Sequence, residues 1–188
     1  MGNRVGQGWL ESLYDQFDTS GYPAMYSDIA ALMVLEHQAR MTNLITRLGR
    51  EAEIAGGVNA NVQKTVDELA DYMLFVDEPT LPSLVVSTSG YPSRFTEGGS
   101  RDSKGRSLRE LDLKTRLFRY PCSYMIYSAA FDALPLNARQ AVYRRMWQIL
   151  SGADKGEKYA RLPSADRKAI IEILRDTKEE FTQLGGLS

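Results

Sequence analysis

His37, the one histidine among 188 residues, and Met41, four positions further on, are the side chains best suited to redox chemistry in this sequence. On a helix that spacing places both on one face. Imidazole and thioether are the groups that commonly complete the axial coordination of haem iron. The functional reading is that one of them, acting as a metal ligand, approaches a cofactor. The plainer reading makes His37 a core histidine bonded to a backbone carbonyl and Met41 ordinary packing.

A further concentration lies in Arg116-Leu117-Phe118-Arg119-Tyr120-Pro121-Cys122-Ser123-Tyr124. Guanidinium forks match carboxylates and helix starts present free amide donors, so Arg116, Arg119, Tyr120 and Tyr124 form a candidate site for a carboxylate or a propionate. The same residues can instead cap a preceding helix and stack on one another. Around them, Arg94 to Arg119 holds eight basic and four acidic residues, a local +4 that suits an acidic partner surface or a merely solvated face. Asp28, Glu36, Arg40 and Glu51 add charge to the His37 segment, but their spacing singles out no acid–base pair.

The familiar catalytic devices are missing. The chain has no CxxCH, HExxH, Walker or dinucleotide-binding glycine motif, and no GxSxG elbow to support a hydrolase built on His37. A single cysteine, Cys122, forms no internal disulfide and cannot anchor a zinc site beside one histidine. A net charge of −1 offers no field to gather nucleic acid. No apolar run reaches the roughly 20 residues that span a bilayer.

The elements that must position these residues read as helices. Ser27 or Asp28 caps a helix carrying Ile29, Leu32, Met33, Met41, Leu44, Ile45 and Leu48, which ends near Gly56-Gly57. Asn59 or Asn61 opens another with Val62, Val66, Leu69, Ala70 and Met73, stopped around Asp77-Glu78-Pro79. Residues 77–106, rich in Pro, Gly and Ser, form a long loop with an extended hint at Leu84-Val85-Val86. Ser107-Leu108-Arg109-Glu110 is a capping box that predicts a third helix from Leu108 to Tyr120. Cys122 to Phe131 predicts a short, nearly all-apolar helix at the centre of the domain. Two further amphipathic helices follow, one with Val142, Tyr143, Met146 and Trp147 and closed by Gly152, the other starting at Ser164. The expectation is an all-α, irregular bundle of about six helices over residues 27–184, after an irregular segment at 1–26. With 43% apolar and 25% charged residues the composition is that of an ordinary globular chain.

The stretches 27–38, 71–78, 101–108, 119–128 and 130–135, among them Asp71-Tyr72-Met73-Leu74-Phe75-Val76-Asp77-Glu78 and Arg119-Tyr120-Pro121-Cys122-Ser123-Tyr124, carry a family resemblance. The sequence resembles the C-terminal region of larger exported bacterial proteins described as cytochrome-c-domain-containing, whose upstream part carries a c-type haem motif. That resemblance implies a periplasmic or exported setting, haem c as the parent protein's cofactor, and an upstream cytochrome domain or redox partner protein. The chain itself departs from the pattern in having no CxxCH and no signal. Within that frame, His37 and Met41 become candidates for an axial ligand, and Arg116, Arg119, Tyr120 and Tyr124 for propionate partners. The alternatives are a cofactor-free interaction domain docking through the +4 segment and, least favoured, a hydrolase.

Overall fold

In the computed structural model, residues 28–87 and 90–184 are described, and among them there are seven α-helices, two 3₁₀ turns and no strand. The protein is all-α. The helices are α1 (Ile29–Ala55), α2 (Ala60–Met73), α3 (Tyr91–Glu97), α4 (Ala129–Asp132), α5 (Leu136–Leu150), α6 (Ser164–Thr177) and α7 (Glu179–Leu184). The expected irregular segment at 1–26 lies outside the described residues, as does Ser27, one of the two capping candidates.

The two long N-terminal helices start for local reasons, and α2 ends at Met73, short of the stop expected around Asp77-Glu78-Pro79, because Phe75 turns left-handed at φ 52°. The Asp28 carboxylate accepts from the backbone of Ala30 and Ala31, and Asn59 does the same for Asn61 and Val62. Gly56 closes α1 at φ 65°, a left-handed conformation that glycine reaches without a Cβ penalty. The buried face of α1 is Ala30, Val34, His37, Met41, Leu44, Ile45, Leu48 and Ala52. Ile29 and Leu32, expected on that face, are 54% and 53% exposed, because the inward stripe runs one position out of register with them. α2 packs against α1 and α5, while α5, α6 and α7 close the other side. One apolar cluster joins residues from all of these helices.

The middle of the chain differs from expectation. No helix runs from Leu108 to Tyr120. The capping-box bonds do form, from Ser107 N–H to the Glu110 carboxylate at 2.9 Å and from Arg109 N–H to the Ser107 hydroxyl at 3.2 Å. One turn later the Asp112 carboxylate accepts from Thr115 N–H, the Thr115 hydroxyl and Arg116 N–H, and these donors are lost to a helix. Leu113 turns left-handed at φ 59°, and the chain doubles back so that Leu111 faces Phe118 across an isolated antiparallel bridge. Residues 81–85 run alongside this hairpin, Leu81 N–H bonding Thr115 O and Val85 N–H bonding Leu113 O. The long loop also contains α3, which was not expected.

Cys122 to Phe131 is not one helix, and it is buried over residues 122–126 and at Phe131 while Ala129 and Ala130 are exposed. Ser123 caps a 3₁₀ turn over Tyr124–Tyr127, and Ser128, in extended conformation, caps α4. Each serine hydroxyl takes a backbone N–H that a continuous helix would use. Cys122, Ser123, Ile126 and Phe131 are fully buried.

Candidate functional site

His37 is 4% exposed and sits where three parts of the chain meet. Its Nε2 lies 2.7 Å from the Ser123 hydroxyl, 86 positions away in sequence. That oxygen already accepts the Met125 N–H at 3.1 Å, and the Ser123 N–H donates to the Met73 carbonyl at 2.8 Å. The hydroxyl keeps both its hydrogen and a second lone pair for Nε2, so it pairs with either neutral tautomer of the ring. A single imidazole thus ties α1 to the end of α2 and to the 3₁₀ turn.

The ring also stacks on Phe75, with centroids 4.7 Å apart, and on Tyr72 at 5.2 Å, and meets the edge of Phe118 at 5.6 Å. Burial alone pulls its pKa down to about 4, so the imidazole is neutral at physiological pH. Phe75 reaches it from a left-handed backbone position, φ 52°, where a bulky residue is strained and must be held by its surroundings.

Outside this stack opens a cleft of about 690 Å³ between α1, α2 and the segment that follows α2. Its apolar lining comes from Met33, Tyr72, Phe75, Leu81 and Leu117, with the His37 ring among them. Carboxylates dominate its charged lining, against two cations, Arg40 and Lys64. The Arg40 guanidinium lies 4.5 Å over the face of Tyr72. Glu78 is half-buried in the wall, and burial pushes its carboxyl up to about 7 against the opposing pull of Arg116.

The structure does not gather the sequence candidates into one place. Met41 is completely buried in the core and does not line the cleft. Arg116 donates to Asp166 at 2.7 Å and to the Arg119 carbonyl at 2.7 Å. Arg119 is exposed, 3.5 Å from the Glu110 carboxylate, and stacks over its neighbour Tyr120. Tyr124 is buried beside Phe95, with the Arg109 guanidinium 5.0 Å from both rings. The basic stretch is partly paired within the fold: Arg106 bridges Asp102 and Glu172, Lys104 reaches Glu172, and Arg101 donates to the Gly105 carbonyl.

The His37–Ser123 contact has the donor and acceptor of a hydrolytic pair without its other parts. Ser123 is fully buried, and no carboxylate contributes to the shift on His37. Among the described residues no group of three or more metal-binding side chains is present, and no helix is long and apolar enough to cross a membrane. Comparison with protein families, curated proteins and solved structures finds no match to this chain.

Four residues of the site escaped the sequence reading: Tyr72, Phe75, Glu78 and Ser123. Tyr72, Phe75 and Glu78 lie in one short stretch at the end of α2, where an aromatic pair three apart followed by a carboxylate is a usable signal. Nothing in the sequence points from Ser123 to His37.

Proposed function

We propose that this chain is a binding domain and that the cleft over His37 is its working surface. The observation that carries the reading is the strained Phe75. A left-handed aromatic residue, stacked on a neutral histidine whose orientation a buried serine fixes, forms one wall of an open cleft. Strain of this kind is held where the surroundings over-determine it, which is characteristic of ligand-binding positions. The cleft volume falls inside the ~300–1,000 Å³ range of small-molecule sites, and its mixture of apolar lining and a few polar groups is typical of them.

Amide chemical shifts provide the test, with a panel of small aromatic molecules of differing charge as titrants. Perturbations concentrated at residues 33–40 and 71–81 support the reading. A panel in which no molecule perturbs them overturns it.

The family resemblance extends the proposal to the parent protein: a periplasmic or exported, haem-c-associated electron-transfer protein in which this helical domain packs against the haem-bearing part. The geometry favours packing over ligation. Nε2 of His37 is engaged by Ser123, Met41 is sealed in the core, and Arg116 and Arg119 each face a carboxylate of the fold. As placed, these side chains are engaged within the fold and offer no axial ligand. In a longer chain bearing the haem, His37→Ala and Met41→Ala are expected to leave the haem absorption bands unchanged. A changed axial-ligand spectrum in either variant would restore coordination from this domain.

A further inference from the structure

We propose that the cleft over His37 binds a small organic cation with an aromatic or apolar body. Its charge would sit among Glu36, Asp77 and Glu78, and its body on Tyr72, Phe75 and Leu117. This inference rests on the reading of the cleft as a binding site and specifies the chemistry of the occupant.

The charged lining divides in two. Asp67 pairs with Arg145, Glu68 with Arg47, and Asp71 with Lys158 and the Tyr159 hydroxyl. Glu36, Asp77 and Glu78 have no salt bridge among the described residues, although all three line the cleft. A half-buried carboxyl left without an ion-pair partner is an unfavourable arrangement in an isolated fold. A cation entering the cleft removes that cost.

The aromatic surface favours the same charge. The faces of Tyr72 and Phe75 carry negative quadrupole potential, and cations within about 6 Å of such a face are attracted to it. Arg40 already uses Tyr72 in this way, 4.5 Å from the ring centroid, so this wall accepts a planar cation and a ligand must share the ring with Arg40 or displace it. His37 adds no repulsion, because its burial keeps it uncharged at neutral pH.

The groups that face Glu78 set the pH dependence. The cleft that holds Glu78 is lined by Glu36, His37 and Arg40 from α1, Lys64, Asp67, Glu68, Asp71 and Tyr72 from α2 and the adjacent Asp77, and Arg116 acts on Glu78 from the hairpin. With His37 neutral, Glu78 gains its negative charge as the pH rises through about 7.

Benzamidinium, its neutral isostere benzamide and the anion benzoate are the probes, titrated at pH 8 and followed by amide shifts and calorimetry. Benzamidinium is expected to bind at least about tenfold more tightly than benzamide, with benzoate weakest. Its affinity is expected to fall between pH 8 and pH 6, and to fall about tenfold in Glu78→Gln, which also flattens the pH profile. Tyr72→Leu, which keeps an apolar side chain and removes the ring face, should weaken benzamidinium and leave benzamide nearly unaffected. Equal binding of benzamide and benzamidinium, or an unaltered affinity in Glu78→Gln, overturns the cation assignment while leaving the cleft a binding site. Failure of all three probes to perturb the cleft overturns both.

Discussion

The molecule has two charge-rich regions, and it uses their charges in opposite ways. Between Arg101 and Arg119 several side chains are paired internally: Arg106 holds Asp102 and Glu172, Arg116 holds Asp166, and Asp112 closes the hairpin turn. Around the cleft between α1 and α2, three carboxylates keep no salt bridge among the described residues and lie beside aromatic rings. In sequence the basic stretch, with its local +4, has the composition of an interaction surface, whereas α1 and α2 have that of two ordinary amphipathic helices. The comparison teaches that a run of like charge is informative about binding only after its internal partners have been counted.

The sharpest way to break this contrast is Arg106→Ala. Asp102 is buried and hydrogen-bonded by the Arg106 side chain and backbone and by the Lys104 N–H. Burial by itself would raise its pKa, but the Arg106 hydrogen bonds and charge outweigh it and hold the carboxyl below the usual range. Removing the guanidinium strands a buried carboxylate and should cost about 3–5 kcal/mol in a denaturant titration. A loss under about 1 kcal/mol would mean that the basic stretch is solvated rather than structural.

Acid comes next. Between pH 6.5 and about 4 the unfolded chain protonates its histidine while the folded His37 stays neutral, so the unfolded state binds more protons and stability falls with pH. The loss should approach about 3 kcal/mol over that window. A His37→Gln variant should lose this part of the slope, and an unchanged slope would argue against a buried neutral imidazole. Glu172, held at about 2 by Lys104 and Arg106, contributes in a lower window, its stabilisation fading as the pH falls from 4.5 through 2.

Ser123→Ala should cost about 1–3 kcal/mol, because it leaves the buried Nε2 of His37 without its partner. It should also broaden the amide signals of residues 73–76, whose last turn Ser123 ties to His37. Smallest is Arg119→Ala: an exposed pair 3.5 Å apart is worth at most about 1 kcal/mol, and a larger loss would reinstate Arg119 as a structural or binding group.

The parts of the fold legible in advance are those decided within a few residues. Asp28, Asn59 and Gly56 mark helix ends through bonds or dihedral angles that involve only their neighbours. The helix expected from Leu108 to Tyr120 is instructive because its local signal is real: the Ser107–Glu110 capping bonds form, yet Asp112 diverts the next donors into a turn. Two short-range devices compete within one short stretch, and packing of Leu113, Leu117 and Phe118 against the core goes with the turn.

His37 drew notice because it is the one histidine, and its helix and inward face were readable from periodicity. Local sequence was enough for the all-α class, both ends of α1, the start of α2 and the burial of residues 122–126, since each follows from capping chemistry or from apolar composition over a few residues. Tertiary structure alone decided that Ser123 meets His37, that Phe75 adopts a left-handed turn to stack on it, and that Glu36, Asp77 and Glu78 are left without ion pairs among the described residues. Those outcomes depend on which helices pack side by side, and a bond between residues 86 positions apart leaves no trace in local spacing.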